Sequence, residues 1–192
     1  MHSKITFICI IMCIMLVLIH MVYAFRQRKM DEEYEFLKSV KVSIPIENMT
    51  VFKPKRNIRT YSENKNENYK FIIYHDSLQC SSCELKRLTI WNSIISKTEA
   101  FGINMDYYFI FSPLKGSEDK FKSNYLDSRL LYPIYIDTEY KFSKVNPFIL
   151  KKNRYHCFVL DKGNRIVFIG NPTKNMDMEN KYLEFIEKLK LQ

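Results

Sequence analysis

Apolar positions follow three different rhythms along this chain. Residues 5–25 are almost continuously apolar, interrupted by Thr6 and His20 alone, and about 20 such residues suffice for a helix to cross a bilayer. In residues 31–40, Tyr34, Phe36 and Leu37 stand among Glu32, Glu33 and Glu35, which predicts a short helix. Residues 41–46 alternate, with Val42, Ile44 and Ile46 on one side, and predict a strand. The polar stretch Ser62-Glu63-Asn64-Lys65-Asn66-Glu67-Asn68 predicts a loop.

From residue 70 the pattern sharpens. Residues 70–75 form a short run rich in Phe, Ile and Tyr, of strand type. After it, Leu85, Leu88, Trp91 and Ile95 share a helical stripe, with Ile94 beside it. Residues 105–111 predict a second strand, 118–130 a polar helix touching the core through Phe121, Tyr125 and Leu126, and 133–137 a third strand. A further helix is predicted over 138–145, ended before Asn146-Pro147. Residues 155–160 and 165–169 are strand-like runs joined by Asp161-Lys162-Gly163-Asn164, a hairpin signal. Residues 178–191 close the chain as a helix carrying Tyr182, Phe185, Ile186 and Leu189. The predicted order is β-α-β-α-β, then a hairpin and a final helix, with no internal repeat.

These rhythms divide the chain into a membrane anchor or signal segment (1–25), an extension and linker (26–69) and one globular domain (70–192). Two explanations of the first segment stay open. A cleaved secretory signal would use Lys4 as its basic region and Val22-Tyr23-Ala24 as its cleavage site. An uncleaved transmembrane anchor is favoured by the length of the apolar run, which exceeds the roughly 7–15 residues of a signal core. Both put the domain in the periplasm, at the cell exterior or in secretion. Arg26, Arg28 and Lys29 pull the other way, because positive flanks favour the cytoplasmic side. Cys9 and Cys13 lie in mid-run, away from any lipid-attachment position, and read as small apolar residues.

The formal net charge is +9. Lysine and arginine are spread along the chain without a dense block, so this is a solvated surface and predicts no nucleic-acid partner. Beyond the apolar segment stand Cys80, Cys83 and Cys157. A disulfide-stapled secreted fold would show a larger, even number. One pair plus one extra suits a redox site.

The pair is Cys80-Ser81-Ser82-Cys83, placed after Phe71-Ile72-Ile73-Tyr74 and at the start of a predicted helix. Thiols at i and i+3 in a first turn lie on one face, close enough to exchange a disulfide. The positive end of the helix dipole stabilises a thiolate there. Lys86 and Arg87 add to that field and Glu84 opposes it. Strand, CxxC and helix in this order is the sequence sign of a thioredoxin-like redox centre.

Three places carry a wider resemblance: Phe71-Ile72-Ile73-Tyr74 leading to the CxxC, Tyr135-Ile136-Asp137, and the hairpin His156-Cys157-Phe158-Val159-Leu160-Asp161-Lys162-Gly163-Asn164-Arg165-Ile166-Val167 with Gly170-Asn171-Pro172 after it. Through them residues 70–192 resemble the membrane-anchored or secreted thiol–disulfide oxidoreductases of the TlpA/ResA type, in the thioredoxin-like superfamily. The resemblance implies an α/β fold, a central mixed sheet flanked by helices. It implies catalysis by Cys80 as nucleophile and Cys83 as resolving thiol, with no cofactor and no metal. The implied partners are protein thiols and disulfides, an upstream redox protein, and the membrane through the N-terminal helix. Where the family carries a cis-proline facing the CxxC, this chain has Tyr155. A cis bond there would cost about 2.5–4 kcal/mol, so a trans bond and a reshaped partner-binding face are expected.

Cys157 follows two residues later, on the same face by strand alternation, and reads as buried packing ahead of a third redox thiol. His75 and Asp76 precede the CxxC; a solvated loop pair is the plainer interpretation, a proton-transfer group the sharper one. A zinc site from the three cysteines with His75 or His156 lacks a second paired ligand motif. A peroxidase with Ser77 beside Cys80 lacks the activating proline and arginine. The alternative from another class is a non-catalytic thioredoxin-fold binding module with a structural or vestigial CxxC.

Overall fold

The computed structural model describes residues 2–54, 68–76 and 87–191. The chain forms two compact units, Met1–Val40 and Lys41–Gln192.

The first unit is a single helix, α1 (His2–Ser39). No glycine or proline occurs in residues 1–40, so nothing interrupts its hydrogen-bond ladder. The helix predicted over 31–40 is therefore the end of α1 and not a separate element. Arg28 pairs with Glu32 at 3.2 Å and Lys38 with Glu35 at 2.8 Å, one helical turn apart, contributing a few tenths of a kcal/mol each. At about 1.5 Å per residue, 38 residues span about 57 Å. By length and composition this helix is able to cross a membrane.

The second unit is built on six strands: β1 (Thr50–Phe52), β2 (Tyr69–His75), β3 (Met105–Phe111), β4 (Ile134–Ile136), β5 (Cys157–Leu160) and β6 (Ile166–Ile169). Their order across the sheet is β1-β4-β3-β2-β5-β6. β2, β3 and β4 are parallel neighbours, whereas β1 runs antiparallel to β4, β5 to β2, and β6 to β5. The helices are α2 (Thr89–Ala100), α3 (Glu118–Asp127), α4 (Lys141–Val145) and α5 (Met176–Lys190).

Both faces of the sheet are buried, which is why β2 and β3 read as largely apolar runs, interrupted by Lys70 and His75 in β2 and Asp106 in β3. On one face Phe71, Ile73, Phe109, Phe111, Cys157 and Val159 pack with Leu88, Trp91, Ile94 and Ile95 of the α2 segment, Phe121 and Tyr125 of α3, and Tyr182 and Ile186 of α5. Trp91 is wedged edge-on against Phe71 and Phe109, at 5.2 and 5.6 Å between ring centroids. On the other face Tyr74 meets Phe142 of α4, and Phe158 meets Phe148 of the 3-10 turn Pro147–Lys151.

The β5–β6 hairpin forms as its turn residues demand. Asp161 Oδ1 accepts the Arg165 amide at 2.8 Å, and Asn164 takes φ +63°, a conformation asparagine tolerates. The strand predicted over 41–46 does not form. Lys41 makes one bridge to Arg165, and Val42 N–H donates to Asn164 O at 2.9 Å. Pro45 has no amide to extend the ladder, and Ile46 opens a 3-10 turn, Ile46–Asn48. β1, which the hydrophobic pattern did not predict, covers the edge of β4 instead.

Candidate functional site

β2 lies at the centre of the sheet, between β3 and β5, and ends at His75. The connection from there to α2 carries the CxxC. Cys80 and Cys83, like Ser77, Glu84 and Lys86, lie outside the described residues. At that end of the sheet the described structure holds the last residues of β2, the turn entering β5, and the ends of β3 and β4.

His75 stacks face to face on Phe111, its ladder neighbour in β3, with centroids 4.7 Å apart and planes within 4°. Burial, followed by the neighbouring His156, pushes its imidazole down to about 4, so it is neutral at neutral pH. Across the β2–β5 ladder, His156 meets Tyr74 edge-on at 5.2 Å. His156 Nε2 lies 3.1 Å from the Ile149 carbonyl; a carbonyl only accepts, so the proton sits on Nε2. Burial lowers this histidine as well, while Asp76 and the Ile149 carbonyl oppose that shift. The same burial pushes the Tyr74 phenol up. The sheet thus ends in an aromatic layer of two imidazoles and a phenol, held uncharged.

Asp137, two residues beyond the resemblance's Tyr135, is buried and holds the start of α4. Its carboxylate oxygens accept the amides of Lys141 at 2.9 Å and Phe142 at 2.8 Å. This is a capping bond pair made by a charged acceptor. It fixes α4 beneath Tyr74.

The expectations meet the structure unevenly. Tyr155 is buried, but it belongs to a 3-10 turn, Asn153–His156, and not to β5. Strand alternation therefore does not relate it to Cys157. Among the described residues no peptide bond is cis, so the backbone at Tyr155 is trans. Cys157 sits in the core, and burial pushes its thiol up to about 12. It is packing, not a poised nucleophile. Among the described residues no group of three or more His, Cys, Asp or Glu is arranged to hold a metal. The His156–Tyr74 contact was missed. It follows from the β2–β5 register, which sets Cys157 opposite Ile73 and so His156 beside Tyr74.

No family model matches the chain, and no curated protein matches it. Solved structures do. The thioredoxin domain of a thiol–disulfide oxidoreductase from Bacteroides vulgatus is 13% identical with a TM-score of 0.47, over 77% of this chain and 98% of that one. Peroxiredoxin Q from Xanthomonas campestris is 12% identical with a TM-score of 0.45, over 65% of this chain and 81% of that one. A domain of a possible thiol–disulfide isomerase from Cytophaga hutchinsonii is 19% identical with a TM-score of 0.41, over 66% and 80%. The helical crossover between the parallel neighbours β2 and β3 and the antiparallel β5–β6 hairpin on the other side of β2 give the Lys41–Gln192 unit a thioredoxin-like fold.

Proposed function

We propose that the chain is a thiol–disulfide oxidoreductase of the TlpA/ResA type, acting on protein disulfides outside the cytoplasm through Cys80 and Cys83. α1 serves as its membrane anchor or export segment. The observation that carries this is the position of the CxxC, on the connection leaving the central strand β2 toward α2, with the β5 hairpin alongside.

In the reducing direction, the Cys80 thiolate attacks one sulfur of a partner disulfide. A mixed disulfide forms and one partner thiolate leaves. The Cys83 thiolate then attacks Cys80 Sγ, the second partner thiolate leaves, and a Cys80–Cys83 disulfide remains. Two electrons pass to the partner, and an upstream dithiol protein returns them by the same steps. Helix N-terminal amides and the exposed Arg87 support a Cys80 thiolate in this proposal.

The test is disulfide-reductase activity of the full chain on a protein disulfide. Cys80→Ser abolishes turnover, and Cys83→Ser stops the reaction at a mixed disulfide that a reductant releases. Undiminished turnover in Cys80→Ser contradicts the proposal, and a wild type with no turnover leaves a binding module.

A further inference from the structure

We propose that α1 is a self-association helix: two copies of this chain pack in parallel in the membrane along a polar seam from Thr6 to Tyr34. The proposal rests on α1 being kept as the anchor and not on the thiol chemistry.

The seam is written in the spacing of the sequence. In the apolar run 5–25, six residues are not Ile, Leu, Val, Met or Phe: Thr6, Cys9, Cys13, His20, Tyr23 and Ala24. The first five fall on alternating steps of three and four residues, with Leu16 completing the series, and Ala24 stands beside it. The same steps continue through Gln27, Met30 and Tyr34. Because α1 is one helix over all of these positions, they share a face, the a and d positions of a left-handed coiled coil.

Nothing in the chain covers that face from Cys13 to Met30, since residues 10–32 are all exposed. Lipid tails offer no hydrogen-bond partner, so an imidazole or hydroxyl at membrane depth is directed at a neighbouring helix. Tyr23 alone would suit the membrane interface. His20 lies deeper, five residues inside the end of the run, which is about 7.5 Å along the helix. An imidazole is able to donate through one ring nitrogen and accept through the other, so two copies of His20 are complementary. The small residues Cys9 and Cys13 on the same line let two backbones approach closely.

Charge beyond the membrane selects a second copy as the partner. Arg26 takes the g position before Gln27, and Asp31 the e position after Met30. In a parallel pair, g of one helix meets the e five residues on in the other, which sets Arg26 against Asp31 of the second copy on both sides. On its own helix Arg26 has no acid three or four residues away, and the base nearest Asp31, Arg28, is paired with Glu32 at 3.2 Å. Glu33 and Lys38 hold the same places one heptad later. There, however, Lys38 pairs with Glu35 at 2.8 Å and Leu37 is already buried, so the seam ends at Tyr34. Lys29 and the paired Arg28, Glu32 and Glu35 stand at b, c and f positions, off the seam.

The experiment uses the full chain. Sedimentation equilibrium in density-matched detergent is expected to show a dimer. His20→Leu raises its dissociation constant about tenfold, the scale of a lost interhelical hydrogen bond, whereas Leu18→Ala, on the opposite side of the helix, leaves it unchanged. Arg26→Asp and Asp31→Arg each weaken the dimer, and a chain carrying both regains it. In membranes, air with copper phenanthroline joins two copies of the Cys80→Ser, Cys83→Ser variant through Cys9 or Cys13. With Cys9→Ala and Cys13→Ala added, Leu18→Cys does not restore the crosslink. A monomer in detergent with no crosslink in membranes overturns the proposal. So does a dimer indifferent to His20→Leu and to the charge exchange. A mature chain beginning after Ala24 overturns it too, because cleavage discards the seam. None of these readouts depends on disulfide-reductase turnover, so a failure of the oxidoreductase reading is seen separately.

Discussion

Cys157 stands directly opposite Ile73 in the β2–β5 ladder, and its thiol is sealed into the apolar face that also receives Trp91 and Ile95. A thiol held near 12 is protonated throughout the physiological range. In the native protein a maleimide should leave Cys157 unmodified, and denaturant should expose it; mass spectrometry of the labelled peptides distinguishes the two. Cys157→Ala should keep thiol exchange and lose about 1–2 kcal/mol of stability, the scale of a small buried side chain. Labelling of native Cys157 at the rate of a free thiol would make it a third redox group.

His75 and His156 make stability depend on pH with a defined sign. His75 is held at about 4 when folded, against an ordinary 6.5. The unfolded chain therefore takes up the proton first as pH falls. Stability is full above about 6.5 and declines as pH drops toward 4, by up to about 3 kcal/mol at about 1.4 kcal/mol per unit. His156, also lowered, adds in the same direction. Urea unfolding midpoints at pH 7.5, 6 and 4.5 should fall in that order. His75→Phe, which retains the stack on Phe111, should flatten the slope.

Asp137 ties the end of β4 to α4 through two amides. Asp137→Ala leaves the buried Phe142 amide and the half-buried Lys141 amide without this acceptor and should cost about 2–3 kcal/mol. Asp137→Asn retains one acceptor and should cost less. Thermal unfolding of the two variants checks the ranking; a null effect would mean the cap is replaced by water.

The side of the membrane on which the domain lies can be read with a reporter fused after residue 60. The proposal expects signal from a reporter active outside the cytoplasm. A cytoplasmic reporter signal would sink the export claim and vindicate Arg26, Arg28 and Lys29 as retention signals.

Much of the domain was legible because its signals are local. The runs that form β2 and β3 are largely apolar since both faces of the sheet are covered, and Asp161-Lys162-Gly163-Asn164 encodes its own turn. What escaped depends on distance along the chain. β1 is three residues whose only ladder among the described residues is with β4, more than eighty positions away. Residues 41–46 alternate as a strand does, but Pro45 and a lone bridge at Lys41 leave no ladder to join. The break read after Phe25 marks a change of polarity, not of conformation, so α1 runs through it. At the candidate site, His75 was visible as a strand end. His156 was not visible as its neighbour, because the contact exists only once β5 pairs with β2. Tyr155 looked like strand by composition and proved to be 3-10, where local propensity yields to the turn that buries it.

The most direct test is the redox state of Cys80 and Cys83 across graded glutathione buffers, read by thiol trapping of the full chain. The account predicts one two-electron transition, with Cys80 and Cys83 gaining and losing label together and Cys157 silent unless denatured. A pair that stays fully reduced or fully oxidised across every buffer, or that titrates independently at the two positions, would contradict it.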